Sequence, residues 1–223
     1  MAHIVLFAGG IDSRSLFDRY KEDLRIIGRA FLDRPAFQGA SVTLLYGPGG
    51  TVTLNLGPRH QRVAAITASA ANLEQALRDV SRDEADHFVF VASNHGDLNA
   101  DRITTSLCCW DREFVEDHQF ASWCSAINAR RQIYVFGQCH SGGFIPPLAR
   151  PDRCILTACA WDEYSWAHSS LSVDEFILFV TQGLRGGLAT PTEIFSYARL
   201  RDSRPEHPQY YPGDVGNDTS FLG

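Results

Sequence analysis

A chain of 223 residues, 44% of them hydrophobic, is long enough for one domain with a buried sheet and short for two, so a single domain over 1–223 is expected. Its 20 Lys and Arg against 26 Asp and Glu give a formal net charge of −6, which opposes a phosphate backbone and argues against a nucleic-acid partner. No stretch approaches the ~20 apolar residues that span a bilayer. The N-terminal apolar run, Ile4 to Ala8, is of strand length and lacks a basic flank, so neither a membrane partner nor a signal peptide is expected.

Six cysteines, Cys108, Cys109, Cys124, Cys139, Cys154 and Cys159, lie in a chain too large to need stapling, several of them inside apolar runs. Reduced thiols in a cytoplasmic protein are the expectation. There is no Cys-x-x-Cys pair, only the adjacent Cys108-Cys109 and the wide Cys154/Cys159 spacing, which argues against a structural zinc site.

His3 to Ala8 reads as the first strand, with Asp12 or Ser13 placed to cap the helix after it. Leu16, Tyr20, Leu24, Ile27 and Phe31 form one apolar stripe on that helix, which Pro35 and Gly39 close. Val42 to Tyr46 is a second strand, and a turn at Gly47-Pro48-Gly49-Gly50 leads into Thr51 to Leu56, which the pattern pairs with it as a hairpin. A helix from near Asn72 carries Leu73, Ala76, Leu77 and Val80 inward. It precedes the apolar run His87 to Ser93. Arg102 to Trp110 reads as extended, and Phe120, Trp123, Cys124 and Ile127 mark a crossover helix to the run Ile133 to Phe136. Arg153 to Cys159 is another buried strand, followed by the aromatic and acidic loop 160–166. Helices over 173–184 and 192–200 and a tail with a final edge strand complete the pattern.

Two of these strands end in chemistry. One stops at Asn94-His95-Gly96-Asp97, the other at Gly137-Gln138-Cys139-His140-Ser141-Gly142-Gly143. In open α/β sheets ligands bind beyond the carboxyl ends of the strands. If the two strands are parallel neighbours joined by a right-handed crossover, an imidazole stands beside a thiol at one rim. A thiol is a useful nucleophile near neutrality when a base or backbone N–H groups favour its thiolate. His95 is the candidate base and Cys139 the nucleophile, with the amides of Gly96 and Cys139 as the oxyanion hole. His140 reads as a turn residue, since adjacent side chains on a tight turn seldom face one another. A phosphatase loop needs arginine where Ile145 stands, and a hydrolase elbow needs glycine where Ser141 stands.

The segments Phe88 to Gly96 and Ile133 to Gly142 resemble the histidine and cysteine motifs of the caspase-like cysteine peptidases, and within that clan the legumain-like (asparaginyl endopeptidase) family. Thr67 to Arg78 resembles that family's Thr-x-x-Asn helix segment, Leu156 to Ser165 its strand and following loop, and Pro208-Gln209-Tyr210 with Gly216 to Thr219 the end of its catalytic core. The resemblance implies an α/β, caspase-like three-layer sandwich, with a mostly parallel six-stranded sheet and helices on both faces. It also implies a Cys139-His95 dyad acting on a peptide or protein substrate through an acyl-thioester, without metal or organic cofactor. The family's asparagine near the first helix is replaced around Ser15, its Arg-His pair is absent there, and the acid that many clan members place two residues before the cysteine is Gly137. Ser13-Arg14-Ser15 with Asp18 and Leu24 resembles the caspase segment that holds an acidic side chain through arginine. Substrate contacts are accordingly assigned to Asp12, Arg14, Gln138, Trp161, Asp162 and Glu163.

Cysteine endopeptidase is the leading reading. A ligase or transamidase resolves the same acyl-thioester with an amine, and a catalytically silent caspase-like module would use Trp161, Tyr164 and Trp166 to bind partners. No long segment precedes the first strand, so control by a removable prodomain is not expected.

Overall fold

Runs such as Ile4-Val5-Leu6-Phe7 and Phe88-Val89-Phe90-Val91 are apolar at every position, which suits strands covered on both faces by helices. The computed structural model describes residues 1–57 and 62–223. The chain runs β1 (Ala2–Ala8), α1 (Asp18–Leu32), β2 (Ser41–Tyr46), β3 (Thr53–Asn55), β4 (Arg62–Ile66), α2 (Ala70–Val80) and β5 (Ala85–Ala92). It continues through β6 (Gly96–Leu98), β7 (Thr105–Cys108), β8 (Phe114–Glu116), α3 (Asp117–Cys124), β9 (Ala129–Phe136), α4 (Ile145–Leu148), β10 (Arg153–Thr157), α5 (Glu175–Arg185), α6 (Pro191–Arg201) and β11 (Gln209–Tyr211).

Among the described residues one sheet has eight strands in the order β11-β10-β9-β5-β1-β2-β4-β3, and β6, β7 and β8 form a small antiparallel sheet. The six strands expected are thus eight, the extra ones being short edge strands. Strands β4, β2, β1, β5, β9 and β10 are parallel, while β3 and β11 run antiparallel at the two edges. Alternation along β1 sends Ile4, Leu6 and Ala8 into one core with α1, α5 and α6, and Val5 and Phe7 into another with α2 and α3. The result is three layers. No described helix is long and apolar enough to cross a membrane.

Two local expectations change. Thr53–Asn55 does not pair back on β2. It joins β4, which itself lies parallel to β2 and so takes the place beside β2 that the hairpin would have filled. The first helix starts at Asp18 rather than behind a cap at Asp12 or Ser13, and its N-cap, Phe17, offers no side-chain acceptor. The Asp12 carboxylate instead accepts from the N–H groups of Arg14 and Ser15 at 3.0 and 3.2 Å, closing a turn within the loop.

From β1 the chain winds outward through β2 to one edge, then returns to β5 and winds through β9 and β10 to the other. The winding direction therefore changes between β1 and β5, a switch point of the kind beside which such sheets bind ligands.

Arg153 is almost wholly buried at the opposite end of β10. Its guanidinium donates to the carbonyls of Cys124 (2.7 Å) and Leu148 (3.0 Å) and to Gln132 Oε1 (3.2 Å), tying α3 and α4 to the sheet. Arg153→Met strands these buried acceptors and is expected to cost about 2–4 kcal/mol in urea unfolding. An unchanged unfolding midpoint would contradict that role.

Candidate active site

The ladder between β5 and β9 ends with Ala92 opposite Phe136, and the Gly137 N–H donates to the Ala92 carbonyl at 2.8 Å. Continuing this register by three residues sets His95 opposite Cys139. The two segments touch there: a β-carbon added to Gly96 would lie 2.0 Å from the Cys139 carbonyl oxygen and 2.8 Å from Gln138 Cγ. Only a residue without a side chain permits that approach.

Each arm of the pair is fixed from the neighbouring loops. The Gly10 N–H donates to Asn94 Oδ1 at 2.8 Å, and Asn94 Nδ2 donates to the Cys108 carbonyl at 2.6 Å, pinning the residue before His95. His95 Nε2 lies 2.9 Å from the Ser15 carbonyl oxygen. A carbonyl only accepts, so Nε2 carries the proton and Nδ1 keeps its lone pair. The ring packs edge-on against Phe17 and Tyr20, with centroids 5.2 and 5.4 Å away. Burial holds the His95 pKa below the ordinary imidazole value, and Arg19 pushes the same way. Near neutrality the ring is uncharged.

Cys139 is the one partly exposed cysteine, and no cysteine is paired. Burial pushes the thiols of Cys108, Cys124, Cys154 and Cys159 up to about 12, and that of Cys109 further up, which leaves them inert as nucleophiles. The Cys139 sulfur lies 3.8 Å from Ser165 Oγ and 3.9 Å from the Ser165 carbonyl. After it, His140 takes a left-handed conformation (φ 59°) and turns the chain into the helical turn 141–144. His140 Nδ1 donates to the Trp161 carbonyl at 3.0 Å and its ring meets Tyr164, so it fastens the cysteine turn to the loop after β10.

The residues assigned to substrate contacts divide. Gln138 is fully buried beside Cys139, and neither of its amide atoms has a protein partner. Trp161 and Asp162 are exposed on the loop held by His140, and Arg14 is exposed on the loop after β1. Asp12 is a loop former, ion-paired to Arg112 at 3.0 Å. The Glu163 carboxylate is committed within the chain, accepting from the N–H groups of Ala160 and His207 and from the His207 ring. Sequence reasoning missed the Ser15 carbonyl, since a backbone oxygen leaves no mark in residue types. It also took Tyr20 for core stripe alone. Among the described residues no group of His, Cys, Asp or Glu side chains is arranged to hold a metal ion.

No family model and no curated protein matches the sequence. Among solved structures the chain is similar to a protein of Geobacter sulfurreducens, GSU0716, with TM-score 0.70 and 12% identity over 100% of this chain and 99% of that one. It is also similar to caspase-1 from Spodoptera frugiperda, with TM-score 0.60 and 14% identity over 95% of this chain and 85% of that one. At these identities the likeness is one of fold: the chain has a caspase-like α/β fold, and the narrower legumain-like affiliation does not emerge from these structures.

Gly96→Ala forces a methyl group into the Cys139 carbonyl. It is expected to destabilise the fold by about 1–3 kcal/mol in urea unfolding, the cost of overpacking. Wild-type stability in this variant would show that the two tips stand further apart.

Proposed function

We propose that this protein is a cysteine endopeptidase with Cys139 as nucleophile and His95 as general base. The observation that carries the reading is the contact of the two strand tips, Gly96 against the Cys139 carbonyl; one partly exposed thiol and an imidazole whose tautomer the Ser15 carbonyl fixes support it. In the reaction His95 Nδ1 takes the proton from Cys139, and the sulfur attacks the scissile carbonyl. The resulting oxyanion is met by the N–H groups of Gly96 and Cys139, and the imidazolium returns the proton to the leaving amine. Water, activated by the same nitrogen, then splits the acyl-thioester and frees the thiol. An amine in place of water gives ligation from the same intermediate.

Exposure of Trp161 (47%), Tyr164 (64%) and Trp166 (48%) favours a second reading, a silent module that binds partners through this loop. Treatment with a peptidyl acyloxymethyl ketone separates the two. Mass spectrometry is expected to place the adduct on Cys139, and His95→Ala is expected to slow its formation about 10²–10⁴-fold. An unlabelled Cys139, or labelling indifferent to His95, would favour the silent module.

The pH profile provides a second check. Because burial disfavours the imidazolium, His95 stays an uncharged base to lower pH than a free histidine, and the acid limb of kcat/KM is expected below about pH 6.5. A limb lying above that value would contradict the assignment of His95 as base.

A further inference from the structure

Helix α1 buries a carboxyl within its apolar stripe. Tyr20, Leu24, Ile27 and Phe31 enter the core as residues of their kind do, but Asp23 enters with them and has no exposed surface. A carboxyl taken out of water is costly unless donors meet it, and here each oxygen meets one. Asp23 Oδ2 accepts from Ser93 Oγ at 2.7 Å, and Oδ1 accepts from the Asp174 N–H at 2.9 Å. Burial pushes the Asp23 carboxyl up to about 7, and both donors act against that rise.

The two donors stand on the two arms of the candidate site. Ser93 is the first residue past β5, and its N–H donates to the Phe7 carbonyl at 3.1 Å; Asn94 and His95 follow it directly. Asp174 closes the loop after β10, where 166–168 and 173–175 form a narrow hairpin. The His168 N–H donates to the Val173 carbonyl at 2.9 Å, the Glu175 N–H to the Trp166 carbonyl at 3.2 Å, and Ala167 bridges to Asp174. Ser165, the residue just before that hairpin, is the one that meets the Cys139 sulfur, at 3.8 Å from Oγ and 3.9 Å from the carbonyl oxygen.

Residues three apart on a helix share a face, and Tyr20, three before Asp23, packs edge-on against the His95 ring at 5.4 Å. One face of α1 thus supports the imidazole with a ring and ties together, through a carboxyl, the strand end before it and the hairpin beside the thiol. A carboxyl is planar and rigid. With one oxygen on each arm, residues 93 and 174 cannot shift relative to each other without breaking a buried hydrogen bond.

We propose that Asp23 is a positioning residue, a clamp that joins the strand end leading to His95 to the hairpin flanking Cys139 and so sets the separation of imidazole and thiol. The proposal rests on the peptidase reading above. Alanine at position 23 leaves two buried donors unmet and both arms free. Asparagine can keep both links: its oxygen accepts from the Asp174 N–H, and its amide donates to Ser93 Oγ, a hydroxyl that accepts as well as donates.

The test follows labelling of Cys139 by a peptidyl acyloxymethyl ketone in the full chain. Asp23→Ala, which cuts both links, is expected to slow labelling about a hundredfold, the cost of a small displacement imposed from outside the reacting groups. Ser93→Ala cuts one link and is expected to slow it about tenfold, while Asp23→Asn restores the rate to within about threefold of wild type. Ser93→Ala added to His95→Ala is expected to cause no further loss, which separates action through the imidazole from a general weakening of the fold. Urea unfolding shows whether each variant folds, and Ser93→Ala, lacking only a hydroxyl, carries the test if Asp23→Ala does not. Labelling that needs His95 but is unchanged in Ser93→Ala and Asp23→Ala overturns the clamp and leaves the dyad standing. Asp23→Asn as slow as Asp23→Ala, or a further loss in the double variant, overturns it too. Nitrogen NMR of the His95 ring in the isotopically labelled protein needs no reaction. Wild type is expected to show one protonated and one unprotonated ring nitrogen, and the two shifts to draw together in Ser93→Ala and Asp23→Ala but not in Asp23→Asn. That result supports the clamp even if the ketone labels nothing, an outcome that sinks the dyad instead. Unchanged shifts in both alanine variants overturn the clamp.

Discussion

The parallel ladder between β5 and β9 is the constraint from which the site follows. Its partner pairs, from Ala85 with Ala129 to Ala92 with Phe136, fix where both strands stop, and the Gly137 N–H extends the match beyond the last pair. A slip of one residue would turn each apolar side chain to the other face, so burial of Val89, Val91, Ile133 and Val135 in one core and Phe88, Phe90, Tyr134 and Phe136 in the other enforces it. The hydrophobic effect, acting along the strands, thus sets the position of polar groups at their tips.

The ladder alone would leave those tips as free loops. They are held because the loop after β1 leans over the end of β5. Asn94 takes the Gly10 N–H, and His95 takes the Ser15 carbonyl. On the other flank His140 spends its ring on the Trp161 carbonyl, and Ser141 bonds to Cys159 through main-chain and side-chain atoms. Two histidines near one thiol thereby have separate tasks: one orients a loop, and the other has a nitrogen left for chemistry.

Much of this was legible in residue order. Strands buried on both faces read as unbroken apolar runs, and β1, β5, β9 and β10 stood out for that reason, as did His95-Gly96 and Cys139 just past two of them. The short edge strands were harder. In β4 only Ala65 is buried, so its pattern is faint, and Thr53–Asn55 had no visible partner but β2. Asp12 misled for a chemical reason: an aspartate accepting N–H groups two and three residues on is the signature of a helix cap and of a local turn alike. The hydrogen bond from the Asp174 N–H to the buried Asp23 carboxyl was invisible because its partners lie 151 residues apart.

The account stands or falls on where the atoms around one sulfur lie when an acyl group is bound. The most direct measurement is a crystal structure of the protein after reaction with a peptidyl aldehyde. The expected adduct joins the aldehyde carbon to Cys139 Sγ, with His95 Nδ1 facing the reacting centre and the former carbonyl oxygen about 3 Å from the N–H groups of Gly96 and Cys139. An unmodified Cys139, a His95 ring turned away from it, or an adduct oxygen that meets neither amide would contradict the account.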